Sequence, residues 1–139
     1  MQSPKFLTIW INIFFVIFDY LHYGHLKLFE RAAKYGDYLI VAVQRDEEIH
    51  KTKPDAQMMY DLAKRMEFIG AIRFVNEVVP HTQVDQDIKT IDFDILILGG
   101  DQNHAGFQRA IQWAKDNQKK VIRLERTEGI SSSKIKKEV

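Results

Sequence analysis

Tyr38-Leu39-Ile40-Val41-Ala42-Val43 is a near-continuous apolar run of strand-forming residues. A strand with one wet face alternates apolar and polar side chains. An unbroken run instead marks a strand covered on both faces, as in a parallel sheet flanked by helices. Working outward, Tyr23 to Tyr35 reads as a helix, because Leu26, Phe29 and Ala33 recur at helical spacing. Gly36 then stands where a C-terminal glycine cap belongs. Before the helix, Leu7 to Phe18 is a β-branched and aromatic run that reads as a first buried strand.

Downstream the same alternation repeats. Gln44 to Asp55 is polar, contains Pro54 and reads as a loop. Met58 to Ile72 is helical, with Leu62, Met66 and Ile69 on one stripe. Phe74 to Val79 reads as a strand stopped by Pro80, and Val84 to Ile91 as a modest helix. Ile95 to Leu98 is a fourth strand ended by Gly99-Gly100. Phe107 to Lys115 is a helix, Val121 to Leu124 a fifth strand, and Ser131 to Glu138 a last short helix. Strands alternating with helices predict an α/β fold. It is one domain over residues 1–139, a doubly wound, Rossmann-like parallel sheet of five strands with helices on both faces.

Bulk composition agrees with an ordinary globular protein: 139 residues, 45% hydrophobic and 28% charged. A net charge of +1 gives no reason to expect nucleic acid or an anionic membrane as partner. There is no cysteine, which excludes disulfides, thiol catalysis and cysteine-held zinc and suits a cytoplasmic location. Phe6 to Phe18 is apolar but carries Thr8 and Asn12. It is shorter than the roughly 20 residues that a membrane-spanning helix needs. It also lacks the small-residue cleavage site of a signal peptide. Aromatic Trp10 to Phe18 is expected to extend into a subunit contact of a homodimer.

The groups that bear chemistry follow strand ends, where ligands sit in sheets of this kind. His22-Tyr23-Gly24-His25 opens a helix and aims two imidazoles along one face. Gly24 between them lets an anion approach the backbone, and the helix N-terminus adds unpaired N–H groups. The alternative is a pair of structurally bonded or solvent-facing histidines; no third metal ligand lies nearby, so no protein-held metal is expected. At the other end, Arg126 offers a two-pronged donor, Gly129 a turn, and Ser131-Ser132-Ser133 hydroxyls at a helix start. The alternative there is an ordinary capped terminal helix. Lys51 and Lys53 flank Thr52 as a basic loop able to close on a triphosphate, or as solvated surface. Gly99-Gly100-Asp101-Gln102-Asn103-His104 concentrates hydrogen-bonding groups, or is simply a turn. Arg65 on the second helix reads by default as a surface ion pair.

Phe18-Asp19-Tyr20-Leu21-His22-Tyr23-Gly24-His25 resembles the strand-to-helix signature of the His-x-Gly-His nucleotidyltransferase superfamily. Arg126-Thr127-Glu128-Gly129-Ile130-Ser131-Ser132-Ser133 resembles the distal signature of its cytidylyltransferase family, and the likeness is greatest to the members that use glycerol 3-phosphate. It runs on through Glu30-Arg31-Ala32, Gly36-Asp37-Tyr38-Leu39 and Arg73-Phe74-Val75-Asn76-Glu77-Val78. The resemblance implies attack of a phosphomonoester on the α-phosphorus of CTP with loss of pyrophosphate, and Mg2+ carried with CTP. It implies that His22, His25, Lys53 and Arg126 act on the reacting phosphates. Ile17, Phe18, Gly24, Asp101, Thr127, Gly129, Ile130 and Ser131 to Ser133 would hold the nucleotide. Asp19, Lys51, Arg65, Gln102 and His104 would meet the small phosphorylated substrate.

There are three departures from the family pattern. Val16-Ile17 stands where Gly-Thr is usual, which puts bulk near the nucleotide. It also removes a hydroxyl-to-phosphate bond worth roughly 1.5–3 kcal/mol. Asn76 replaces an aspartate, and Asp101-Gln102 replaces Asp-Trp. Adenylyl transfer from ATP and a degenerate nucleotide-binding regulator remain the two alternatives.

Overall fold

The computed structural model describes residues 9–16, 23–52, 55, 60–100 and 102–125. They form five strands and five helices: β1 (Ile11–Val16), α1 (Tyr23–Ala33), β2 (Tyr38–Gln44), α2 (Asp46–Thr52), α3 (Leu62–Gly70), β3 (Glu77–His81), α4 (Val84–Asp87), β4 (Ile95–Leu98), α5 (Ala105–Asp116) and β5 (Lys120–Arg123). All strand pairs are parallel, in the order β3-β2-β1-β4-β5. The order reverses between β1 and β4, so the switch point lies beyond the carboxyl end of β1.

Each face of the sheet carries its own core. Phe29 and Ala32 of α1 and Ile69 of α3 pack on Phe14, Val16, Val41, Val43 and Ile97. Val84 and Ile88, with Phe107, Ala110 and Ala114 of α5, pack on Ile13, Phe15, Ala42 and Leu96 from the other side. Phe14, Phe15, Phe29 and Phe107 are fully buried, each worth about 1.5–3 kcal/mol on leaving water. Exposed pairs such as Lys27–Glu30 contribute far less. Apolar layering therefore holds the sheet.

Several boundaries differ from the sequence reading. The segment read as a loop contains α2: Asp46, Glu47 and Glu48 fill its first turn and His50 and Lys51 its last, which suits the helix dipole. Those charges looked like a loop only because no apolar stripe accompanies them. Pro80 does not stop β3 but lies inside it, opposite Val43. β3 is an edge strand, where a missing N–H is tolerated. The helix read over Val84 to Ile91 is a single helical turn, α4, continued by turns. α3 begins at Leu62, its N-cap Asp61 accepting from the Lys64 N–H at 3.0 Å.

Gly36 is not a left-handed cap. A Cβ there would lie 2.8 Å from the Trp10 carbonyl oxygen and closer still to Asn12 Oδ1, so glycine is required by close approach. Most of the described part of Trp10 to Phe18 is spent within the chain rather than left for a subunit contact. Ile13, Phe14, Phe15 and Val16 are at most 1% exposed within the chain's own core, and only Ile9 and Trp10 stand out in solvent. The last helix, expected over Ser131 to Glu138, lies outside the described residues.

Candidate functional site

β1 is the axis of the site, and both its ends are tied down. At its start the Trp10 N–H donates to Asp37 Oδ2 and the Ile11 N–H to Asp94 Oδ2, each at 2.8 Å. At its carboxyl end Gln102 Nε2 donates to the Phe15 carbonyl at 2.8 Å, and His81 Nε2 lies 3.2 Å from the Val16 carbonyl. A carbonyl only accepts, so the His81 proton is on Nε2. One side chain follows β4 and the other ends β3. Together they fix the point from which the chain leaves toward His22.

Val16, expected to add bulk near the nucleotide, turns its side chain into the core beside Phe29, Val43 and Leu124. Its replacement of glycine therefore fills the interior. Asn76, in place of the usual aspartate, presents Oδ1 to the Leu39 N–H at 2.8 Å. A carboxylate oxygen would do the same.

Gly24 and His25 occupy the first turn of α1 and are both buried, so this imidazole is held against the protein at the helix start. His22 lies outside the described residues, as do Ile17, Phe18, Asp19, Lys53, Asp101, Arg126, Thr127, Gly129, Ile130, Ser131, Ser132 and Ser133. The described chain does bring the approaches to these positions together. Arg31 of α1 donates to the Glu125 carbonyl at 2.6 Å, and the Leu124 N–H donates to the Leu98 carbonyl at 2.7 Å. The segment leading into Arg126 thus rests on α1 and on the end of β4.

Three expected contacts with substrate are otherwise engaged. Gln102 is buried; its Oε1 accepts the Gly99 N–H at 3.0 Å while its Nε2 holds Phe15, so it positions β1. His104 is the N-cap of α5, its Nδ1 accepting from the Gly106 N–H at 3.1 Å. Lys51 pairs with Glu48 at 2.7 Å on α2, with its side chain largely exposed. Arg123, which no motif singles out, ties β5 to the same corner by donating to the Gly99 and Gln102 carbonyls.

Arg65 is not a surface residue. Its guanidinium is 0% exposed, pairs through Nη2 with Asp46 Oδ1, and donates from Nε to the Tyr60 carbonyl at 3.2 Å. Asp46 Oδ2 accepts the Leu62 N–H at 3.2 Å, so one carboxylate joins α2, α3 and the buried cation. Next to it, the Arg45 N–H donates to the His81 carbonyl at 2.9 Å. His81 sits edge-on to Phe15, with ring centroids 5.1 Å apart. Burial pushes its pKa down to about 4, so the ring is neutral near pH 7. A polar residue closing a strand was the available sequence signal for His81, and reading Pro80 as a stop concealed it.

The whole-chain comparisons accord with this layout. Residues 13–138 match the family model described as Cytidylyltransferase-like. The chain is 40% identical over 125 residues to the glycerol-3-phosphate cytidylyltransferase of Bacillus subtilis (strain 168), covering 88% of this chain and 91% of that protein. It is 38% identical over 125 residues to the protein of the same name from Staphylococcus aureus, covering 88% and 89%. A lipopolysaccharide core biosynthesis protein from Thermoplasma volcanium GSS1 shares the fold, with a TM-score of 0.72, 22% identity and coverage of 86% of this chain and 99% of that one.

Proposed function

The chain belongs to the cytidylyltransferase-like family, and from that premise we propose that it is an enzyme that transfers CMP from CTP to glycerol 3-phosphate. A phosphate oxygen of the acceptor attacks the α-phosphorus in line. One P–O bond forms, the bond to the β-phosphate oxygen breaks, and pyrophosphate leaves. Catalysis of this kind rests on alignment and on neutralising charge, and needs no covalent intermediate. The observation that carries the reading is identity at 40% across 88% of the chain, with the family model matching residues 13–138 and so both terminal signatures.

In this reading His22 and His25 donate to the crowded α-phosphate, and Lys51 and Lys53 bring positive charge to the phosphates. Arg126, Thr127, Gly129, Ile130 and Ser131 to Ser133 cradle CTP beside Ile17, Phe18 and Gly24, with Asp101 near the nucleotide and Asp19 near the acceptor. Mg2+ would bind mainly to triphosphate oxygens and offset their charge. Among the described residues no group of three or more His, Cys, Asp or Glu side chains is placed to hold a metal ion. The product would be an activated building block for cell-envelope polymers, made in the cytoplasm by a homodimer. No described helix is long and apolar enough to cross a membrane.

Pyrophosphate release tests the reading, with each of the four nucleoside triphosphates offered against a panel of phosphorylated alcohols and sugars. CTP with glycerol 3-phosphate should be the productive pair. No release with CTP and any acceptor would overturn it.

A further inference from the structure

The turn that leaves β4, Gly99 to Gln102, is closed by backbone and side chains together. The Gly99 N–H donates to Gln102 Oε1 at 3.0 Å, and the Gln102 N–H returns to the Gly99 carbonyl at 3.3 Å. Asn103 Nδ2 donates to the Gly100 carbonyl at 3.3 Å. Arg123 reaches in from β5, where it stands opposite Leu98 in the sheet register. Its Nη1 donates to the Gly99 carbonyl at 2.8 Å and to the Gln102 carbonyl at 3.2 Å. Bonds from a charged donor are the stronger kind.

These bonds share an object. Asp101 stands between two planar peptide groups. One contributes the Gly100 carbonyl, held by Asn103, and the other the Gln102 N–H, held by Gly99. Arg123 takes the carbonyl of the next peptide out on either side. Gln102 carries the restraint on to β1, because its Nε2 donates to the Phe15 carbonyl at 2.8 Å, one residue before that strand ends. The tryptophan usual at this position cannot make both side-chain bonds, since an indole has one donor and no acceptor.

Resting on the reading of Asp101 as a nucleotide-binding residue, we infer that Arg123 is a positioning residue for CTP. It clamps the turn on both sides of Asp101, so the carboxylate is set before CTP arrives and less freedom is lost on binding. Arg123 is exposed, and an exposed guanidinium has two rival roles: direct contact of its charge with a phosphate, or support of the fold alone.

A double-mutant cycle separates the three. CTP and ATP affinities are measured by NMR titration, which reaches millimolar dissociation constants, on wild type, Arg123→Met, Asp101→Ala and the double variant. Methionine keeps an apolar stem and removes the donors. Arg123→Met should weaken CTP binding by about tenfold. Arg123→Lys, which keeps a charged donor, should recover most of that loss. In the Asp101→Ala background Arg123→Met should have almost no further effect, because the group it positions is gone. In the nucleotide-free protein Arg123→Met should speed amide hydrogen exchange at Gly99 and Gln102. A full effect persisting in the Asp101→Ala background, as both rival roles predict, overturns the inference. So does unchanged CTP affinity, or unchanged exchange, in Arg123→Met. Binding of ATP but not CTP, with the cycle still non-additive, overturns the cytidylyl reading alone. If wild type binds neither nucleotide, both fall.

Discussion

A histidine sealed beside a cation and a phenylalanine makes folding sensitive to acid. The His81 pKa is lowered by burial from 6.5 to about 4. Between those values the unfolded chain binds a proton that the folded chain refuses. Stability is thus full above about pH 6.5 and declines as the pH falls, the whole loss of about 3 kcal/mol being reached near pH 4. Urea unfolding at about pH 7 and about pH 4.5 should show a decline smaller by about 2–3 kcal/mol in His81→Gln than in wild type. Equal declines would mean that the ring is already charged in the folded protein. At this scale sequence reveals residues whose meaning is local: Gly24 and His25 stand out because they open a helix. Asp46, Arg65 and His81 do not, because their partners come from three different elements and only tertiary structure joins them.

Elements were legible where apolar periodicity marks them, as in β2, β4 and α5. They were obscured where other forces decide. α2 owes its helix to charge placement, and β3 runs through a proline that only an edge tolerates. The junction between α1 and β2 depends on Gly36, where the chain turns tightly enough for the Asp37 N–H to donate to the Trp10 carbonyl at 2.8 Å. Gly36→Ala should destabilise by about 1–3 kcal/mol, since the methyl meets backbone on one side and the buried Asn12 amide on the other. Chemical denaturation measures this. A neutral result would mean that β1 can shift without cost, against the bonds that Asp37 and Asp94 make to its start.

For the whole molecule, the doubly wound topology follows from the strand–helix order, and its switch point fixes where a ligand belongs before any side chain is considered. What sequence could not supply is the assembly of the corner where β1, β3 and β4 end. His81, Gln102 and Arg123 lock that corner from separate elements. If the two ends of the chain grip one nucleotide there, binding must stabilise the fold globally. CTP at about 100 times its dissociation constant should add about 2.7 kcal/mol, or about 10 °C in Tm. ATP should add much less, and an equal gain with ATP in a thermal-shift assay would favour adenylyl transfer instead. The sheet also has a margin to defend. The His81 carbonyl faces β2, so the backbone groups of Pro80 face away from it, toward the outer side of β3. An incoming extended peptide would find no donor at that rung. One flank of this protein is thereby protected against templated stacking and fibre growth by a residue that costs the fold no internal hydrogen bond.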